Sequence, residues 1–167
     1  MKKRRPSRLE SSAFHEGGHA LVGHLLDRDI DNITIIATGD IRGYTLSHRR
    51  QAFPGIINHD DGPLANRLTY LYAGIVAQRL FCTKRGVSPK SVRLGEDGRA
   101  ARNSVRNLSK EEQIELLNSA EKDAVKLLSD PQNWPILERI AAKLLEFGTL
   151  DGPSLLELFP ETQYTLS

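Results

Sequence analysis

Cysteine is nearly absent from this chain. Cys82 is the only one in 167 residues, so no intrachain disulfide and no cysteine-built zinc site can form. Long apolar runs are missing too: none approaches the ~20 residues a membrane helix requires. The basic N-terminal residues lead directly into Glu10-Ser11-Ser12, without the apolar stretch of a signal peptide. These absences predict a cytoplasmic protein with no membrane span. The Gly-x-x-x-x-Gly-Lys-Ser/Thr pattern is also lacking, which excludes a P-loop nucleotide site of that type. No internal repeat or low-complexity tract occurs.

Net charge is small, 23 Lys and Arg against 21 Asp and Glu, but it is unevenly placed. Lys2, Lys3, Arg4, Arg5 and Arg8 crowd the start. No aromatic residue stands among them to stack on a base or enter a lipid interface, so a solvated, disordered tail over residues 1–9 is expected, with no nucleic-acid partner. The whole chain, 39% hydrophobic and 26% charged, has the make-up of one soluble domain. The expected domain covers residues 10–160, with 161–167 as a second tail.

The periodicity predicts a mainly α-helical (α+β) chain with one small sheet or hairpin after the first helix. Ser11 or Ser12 can cap a helix running to about Asp27. Residues Asn32 to Ala37 are β-branched and read as a strand, Thr38 to Asp40 as a turn, and Gly43 to Ser47 as a second strand. A long loop, Arg49 to Gly62, precedes a helix opened by Asp61 and Pro63 and continuing to Leu80, interrupted only by Gly74, which suggests close helix packing. Further helices are expected from Asp97 to Asn107, from the Ser109–Glu112 capping box to Leu128, from Ile136 to Phe147 closed by Gly148, and from Asp151 to Leu158.

Within the first helix lies His15-Glu16-Gly17-Gly18-His19. Helix positions four apart differ by about 40° around the axis, so His15 and His19 share a face one turn apart. Two imidazoles so placed can bind one Zn²⁺, with Glu16 beside them as a proton acceptor. The adjacent Gly17 and Gly18 cost the helix roughly 1–2 kcal/mol relative to alanine, which points to close approach by another element or by a substrate. A catalytic zinc site takes a third protein ligand and keeps a position open for water. His24 is turned about 140° from His19 on a continuous helix and cannot join. His48 and His59, and the carboxylates of Asp60, Asp61, Glu96 and Asp97, remain, and spacing alone does not choose among them. Asp61 and Asp97 also suit helix N-caps.

Several segments resemble the peptidase domain of FtsH-type zinc metalloproteases. Phe14-His15-Glu16-Gly17-Gly18-His19-Ala20-Leu21-Val22 is similar to that family's Tyr-His-Glu-Ala-Gly-His-Ala-Val/Leu-Val signature. Ile33-Thr34-Ile35-Ile36 with Gly39, then Gly43-Tyr44-Thr45, resembles its strand segment. Leu71 to Leu80 resembles its Leu-Leu-Gly-Gly-Arg-Ala-Ala-Glu-Glu-Leu helix, and Leu144-Leu145-Glu146 with Thr149-Leu150-Asp151-Gly152 its close. The order and rough spacing agree from about residue 10 to 158.

The resemblance implies a zincin-like metalloendopeptidase in which Zn²⁺ is held by His15, His19 and Asp97, with Glu16 as general base. Asp97 matches the family's third ligand through the alanine four residues on, Ala101; Glu96 is the alternative, because Arg93 stands where the family has glycine and Gly98 where it has leucine. By analogy, Gly43, Tyr44 and Thr45 bind an extended peptide along a strand edge. The family's Glu-Glu pair is replaced by Gln78-Arg79. Its ATPase module and membrane helices are not in this sequence, so the expected substrate is an unfolded or short polypeptide cut without ATP, delivered where necessary by a separate ATPase or adaptor, or within a homo-oligomer. The alternative is a non-catalytic zinc-binding interaction or regulatory module with the same fold; retention of Glu16 argues against it, since a ligand-only site does not need that carboxylate.

Overall fold

A computed structural model describes residues 4–37, 43–49 and 62–160, with the backbone alone at 46–49. The first helix, α1 (Arg8–Leu25), begins one turn earlier than the Ser11 or Ser12 cap expected from sequence. Ser7 is the cap: its hydroxyl accepts from the Glu10 backbone N–H, while the Glu10 carboxylate accepts from the Ser7 N–H at 2.7 Å. A serine with glutamate three residues on closes this reciprocal box better than a serine without one. Ion pairs from Arg4 and Arg85, both at 3.0 Å, fix Glu10 further. Ser7, Arg8 and Leu9, assigned from sequence to a tail, therefore build the start of the helix.

The chain leaves α1 through Asp27, at a φ of 57°, and forms β1 (Arg28–Thr34), several residues earlier than the strand expected over 32–37. Its charged opening residues and a register shift between Ile30 and Asn32 hide the start of the strand from pattern reading. β2 (Tyr44–Arg49) pairs antiparallel with β1. The sheet has a third strand that the sequence did not suggest: β3 (Thr149–Asp151) pairs with the other side of β1, giving the order β2-β1-β3. Three residues are too few to display a period of two.

Helix α2 (Leu64–Lys84) follows, with Pro63 preceding it. The Thr38–Asp40 turn, most of the 49–62 loop and the proposed Asp61 cap lie outside the described residues. A 3₁₀ turn (Pro89–Ser91) leads to α3 (Gly95–Val105). Helix α4 (Lys110–Ser129) opens on the anticipated Ser109–Glu112 box. Helix α5 (Trp134–Phe147) is closed by Gly148 at a φ of 76°, and α6 (Gly152–Leu156) is capped by Asp151. The architecture is mainly helical with one small antiparallel sheet, as the periodicity implied. Among the described residues no helix is long and apolar enough to cross a membrane.

The two adjacent glycines in α1 have a packing cause. A Cβ on Gly18 would lie 2.6 Å from the Ala77 Cβ and 2.7 Å from the Ala73 carbonyl of α2, and one on Gly17 would lie 2.9 Å from Leu137 Cδ1 of α5. Helix α1 is thus pressed against α2 and α5, and only glycine permits both approaches. Beside the site, Phe14 stacks on Phe81 of α2 at 3.8 Å and on Trp134 at 5.7 Å. Fully buried Leu21, Ile33, Leu68, Ile75, Leu137 and Ile140 complete a core that touches every layer. Cys82 is buried in it.

Candidate metal centre

The helical spacing of His15 and His19 brings their Nε2 atoms to 3.2 Å from each other. Asp97, in the first turn of α3, reaches across to both, its Oδ2 lying 3.0 Å from His15 Nε2 and 3.3 Å from His19 Nε2. The three ligand-type atoms fall within 4.8 Å of one another, and these residues form a group able to hold a metal ion. His19 is buried, while His15 and Asp97 are partly open to solvent.

Second contacts fix how the rings present themselves. His19 Nδ1 lies 2.9 Å from the Tyr70 carbonyl, which can only accept, so Nδ1 carries the proton and Nε2 of the neutral ring presents a lone pair. That lone pair, the neighbouring His15 Nε2 and the Asp97 carboxylate all face one point. Three electron-rich atoms so close need a cation between them, a proton or a metal. A glycine makes the space: a Cβ on Gly74 of α2 would lie 2.5 Å from His19 Nε2 and 2.7 Å from His15 Nε2. The donor set of two imidazoles and one carboxylate, with room on the solvent side, fits Zn²⁺.

The charges respond to this crowding. Burial alone would raise the Asp97 carboxyl, but hydrogen bonds and charge from His15 and His19 outweigh it and hold the group well below the usual carboxylate range. Burial alone would lower His15; its hydrogen bond to Asp97 and the negative charges of Glu16 and Asp97 win, and its pKa is raised.

Glu16 lies one residue beyond His15 and is 7% exposed. Its Oε2 accepts from Thr45 Oγ1 of β2 at 2.8 Å, and the same hydroxyl lies 3.2 Å from the Glu16 carbonyl. Gly43 closes on the other carboxylate oxygen: a Cβ there would sit 3.2 Å from Oε1. Metal cluster, Glu16, Gly43, Tyr44 and Thr45 line one cleft of about 560 Å³.

The other candidates go elsewhere. Glu96, though adjacent to Asp97, turns outward and pairs with Arg99 at 2.9 Å. Asp97 itself does not cap α3; it lies inside the first turn, and the helix has no side-chain cap. His24 stacks on Phe159 with 3.8 Å between centroids. His59, Asp60 and Asp61, and the side chain of His48, lie outside the described residues. Gln78 lines the cleft and donates to the Ser11 carbonyl at 3.1 Å. Arg79 pairs with Glu121 at 2.7 Å and donates to the Val92 carbonyl at 3.3 Å. Sequence reasoning missed Tyr70, whose contribution is a backbone carbonyl and leaves no trace in residue type. It also missed the contact of Thr45 with Glu16; no short-range pattern links residues 29 apart.

No protein-family model matches the chain. Curated proteins do. The ATP-dependent zinc metalloprotease FtsH 2 of Thermoanaerobacter sp. (strain X514) is 34% identical over 87 residues, covering 48% of this chain and 16% of that protein. FtsH of Synechococcus sp. (strain JA-2-3B'a(2-13)) is 27% identical over 199 residues, covering 95% of this chain and 31% of its own length. FtsH of Haemophilus influenzae (strain ATCC 51907 / DSM 11121 / KW20 / Rd) is 33% identical over 103 residues, covering 59% of this chain and 15% of its own. The chain spans less than a third of the length of these relatives. It is distantly similar in sequence to proteins named as zinc metalloproteases, over part of their length.

Proposed function

We propose that this chain is a zinc-dependent metalloendopeptidase, with His15, His19 and Asp97 as metal ligands and Glu16 as general base. The observation that carries the reading is the convergence of His15 Nε2, His19 Nε2 and Asp97 Oδ2 within 3.3 Å beside a buried carboxylate. When bound, zinc supplies Lewis acidity and lowers the pKa of a coordinated water toward neutrality. The chain's own groups do the rest. The Tyr70 carbonyl holds the His19 tautomer, and Asp97 contributes the compensating negative charge. Thr45 occupies Glu16 Oε2, leaving Oε1 to accept a proton from the attacking water and to return it to the departing amine nitrogen.

Among the described strands β2 is at the edge of the sheet, and Gly43, Tyr44 and Thr45 line the cleft, so an extended peptide adding to that edge would pass Glu16 and the metal. Only an unfolded or short polypeptide can offer such a backbone, and its hydrolysis consumes water, not ATP. A folded substrate would need a separate ATPase or adaptor to open it.

The metal site is tested by zinc titration of purified variants. His15→Ala, His19→Ala and Asp97→Ala are expected to lose stoichiometric zinc, while His24→Ala and Glu96→Ala keep about one ion per chain. Equal loss from His24→Ala or Glu96→Ala would contradict the assignment.

A further inference from the structure

Among the described residues, two arginines line the cleft without a charge partner. Arg8 and Arg93 both border the space that holds the metal cluster and Glu16. Four neighbouring arginines have an acid: Arg4 and Arg85 pair with Glu10, Arg79 with Glu121, and Arg99 with Glu96. Arg8 and Arg93 have no such pair or hydrogen bond among the described residues.

Both are placed by the fold. Arg8 precedes His15 by seven residues in α1, two turns along the same face and about 10 Å toward the helix start. Arg93 precedes Asp97 by four, in the segment entering α3. That segment is tethered at Val92, whose carbonyl accepts from Arg79 at 3.3 Å, and Arg79 is itself fixed by Glu121. The carboxylates of the cleft are already committed: Asp97 to the two histidines, Glu16 to Thr45, and Glu96 to Arg99. None of these carboxylates pairs with Arg8 or Arg93 among the described residues, which leaves both guanidinium groups open to an acidic ligand.

We infer that Arg8 and Arg93 form a subsite for an acidic side chain of the bound polypeptide, and so make acidic segments its preferred substrate class. An extended chain advances about 3.3 Å per residue, which puts the acidic residue about three positions from the bond at the metal. The inference rests on the peptidase reading for the direction of the peptide, but the preference itself is a binding property.

The test uses two short, unstructured, fluorescein-labelled peptides, identical except that glutamates in one are glutamines in the other. Anisotropy titrations use the zinc-loaded Glu16→Gln chain, so that binding is read without turnover. The glutamate peptide should bind roughly threefold to tenfold more tightly, the worth of one or two partly exposed ion pairs, and the advantage should shrink with added salt. Arg8→Ala and Arg93→Ala should each remove part of it, and the double variant nearly all. Lys126→Ala, which deletes an equal charge on exposed α4, should leave it unchanged. Equal affinity for the two peptides, no binding of either, or the same loss from Lys126→Ala as from Arg93→Ala overturns the subsite. A parallel digest of denatured casein by wild type separates the two ideas: cleavage without a glutamate preference sinks the subsite alone. Preference without cleavage keeps the subsite and sinks the peptidase.

Discussion

Thr45 Oγ1 donates to Glu16 Oε2 at 2.8 Å, tying strand β2 to the helix that carries His15 and His19. The contact joins residues far apart in sequence and fixes which carboxylate oxygen faces the cleft. The Thr45 side chain is committed to Glu16, and the peptide docking we propose along Gly43, Tyr44 and Thr45 uses the strand backbone. Thr45→Val keeps the shape and removes the donor. Zinc content should be unchanged, and the turnover of denatured casein should fall about tenfold, the value of one hydrogen bond to a charged group. An unchanged rate would mean that the bond does not orient Glu16.

Gly18 and Gly74 both permit close approach, but to different neighbours. A Cβ on Gly18 meets the Ala73 backbone carbonyl, and one on Gly74 meets the two imidazoles. Gly18→Ala should lower the unfolding free energy by about 1–3 kcal/mol with or without zinc, as overpacking does. Gly74→Ala should act chiefly on the metal, weakening zinc affinity by roughly ten- to a hundredfold, the range seen when groups behind the ligands are disturbed. Urea unfolding of zinc-free and zinc-loaded protein measures both. Loss of the zinc-dependent stability increment in Gly18→Ala but not in Gly74→Ala would reverse this assignment.

Glu10 gives the first helix a pH dependence. The Ser7 backbone hydrogen bond lowers its pKa; partial burial opposes this, and the Ser7 hydroxyl, Arg4 and Arg85 lower it further. A carboxyl depressed on folding stabilises the fold above the pH where a free glutamate titrates, about 4.3. That contribution is lost as pH falls through the folded value. Glu10→Gln should therefore destabilise the chain at pH near 7, by about 1 kcal/mol for a cap of this kind. The gap from wild type should close on acidification, read by urea unfolding across the window. A gap independent of pH would show that the carboxylate's charge plays no part.

What the sequence displayed and what it hid follow from the range of each interaction. The shared face of His15 and His19 is a consequence of helical pitch, and the double glycine pointed to a close approach by another element or a substrate, which the fold makes with α2 and α5. The Ser109–Glu112 box and the Gly148 stop are local signals that the backbone obeys. Asp97 could not be separated from Glu96 by spacing, because a helix start puts neighbouring residues on different faces and only the tertiary fold decides which one looks inward. β3 was invisible because its stability comes from pairing with β1, far away in sequence. The start of α1 was misplaced because three serines precede the motif, and only Ser7 has a glutamate at the third following position.

The central claim is that Glu16 takes a proton from the attacking water. Glu16→Gln preserves size and helix propensity and still allows a hydrogen bond with Thr45, but its amide cannot serve as that base. The decisive measurement is the rate of denatured-casein cleavage by wild type and Glu16→Gln at matched zinc occupancy. The account predicts one zinc per chain and an unchanged fold in both, with a rate lower in the variant by on the order of 10²–10⁴. Cleavage by the variant at the wild-type rate, or none by either protein at full zinc occupancy, would contradict it.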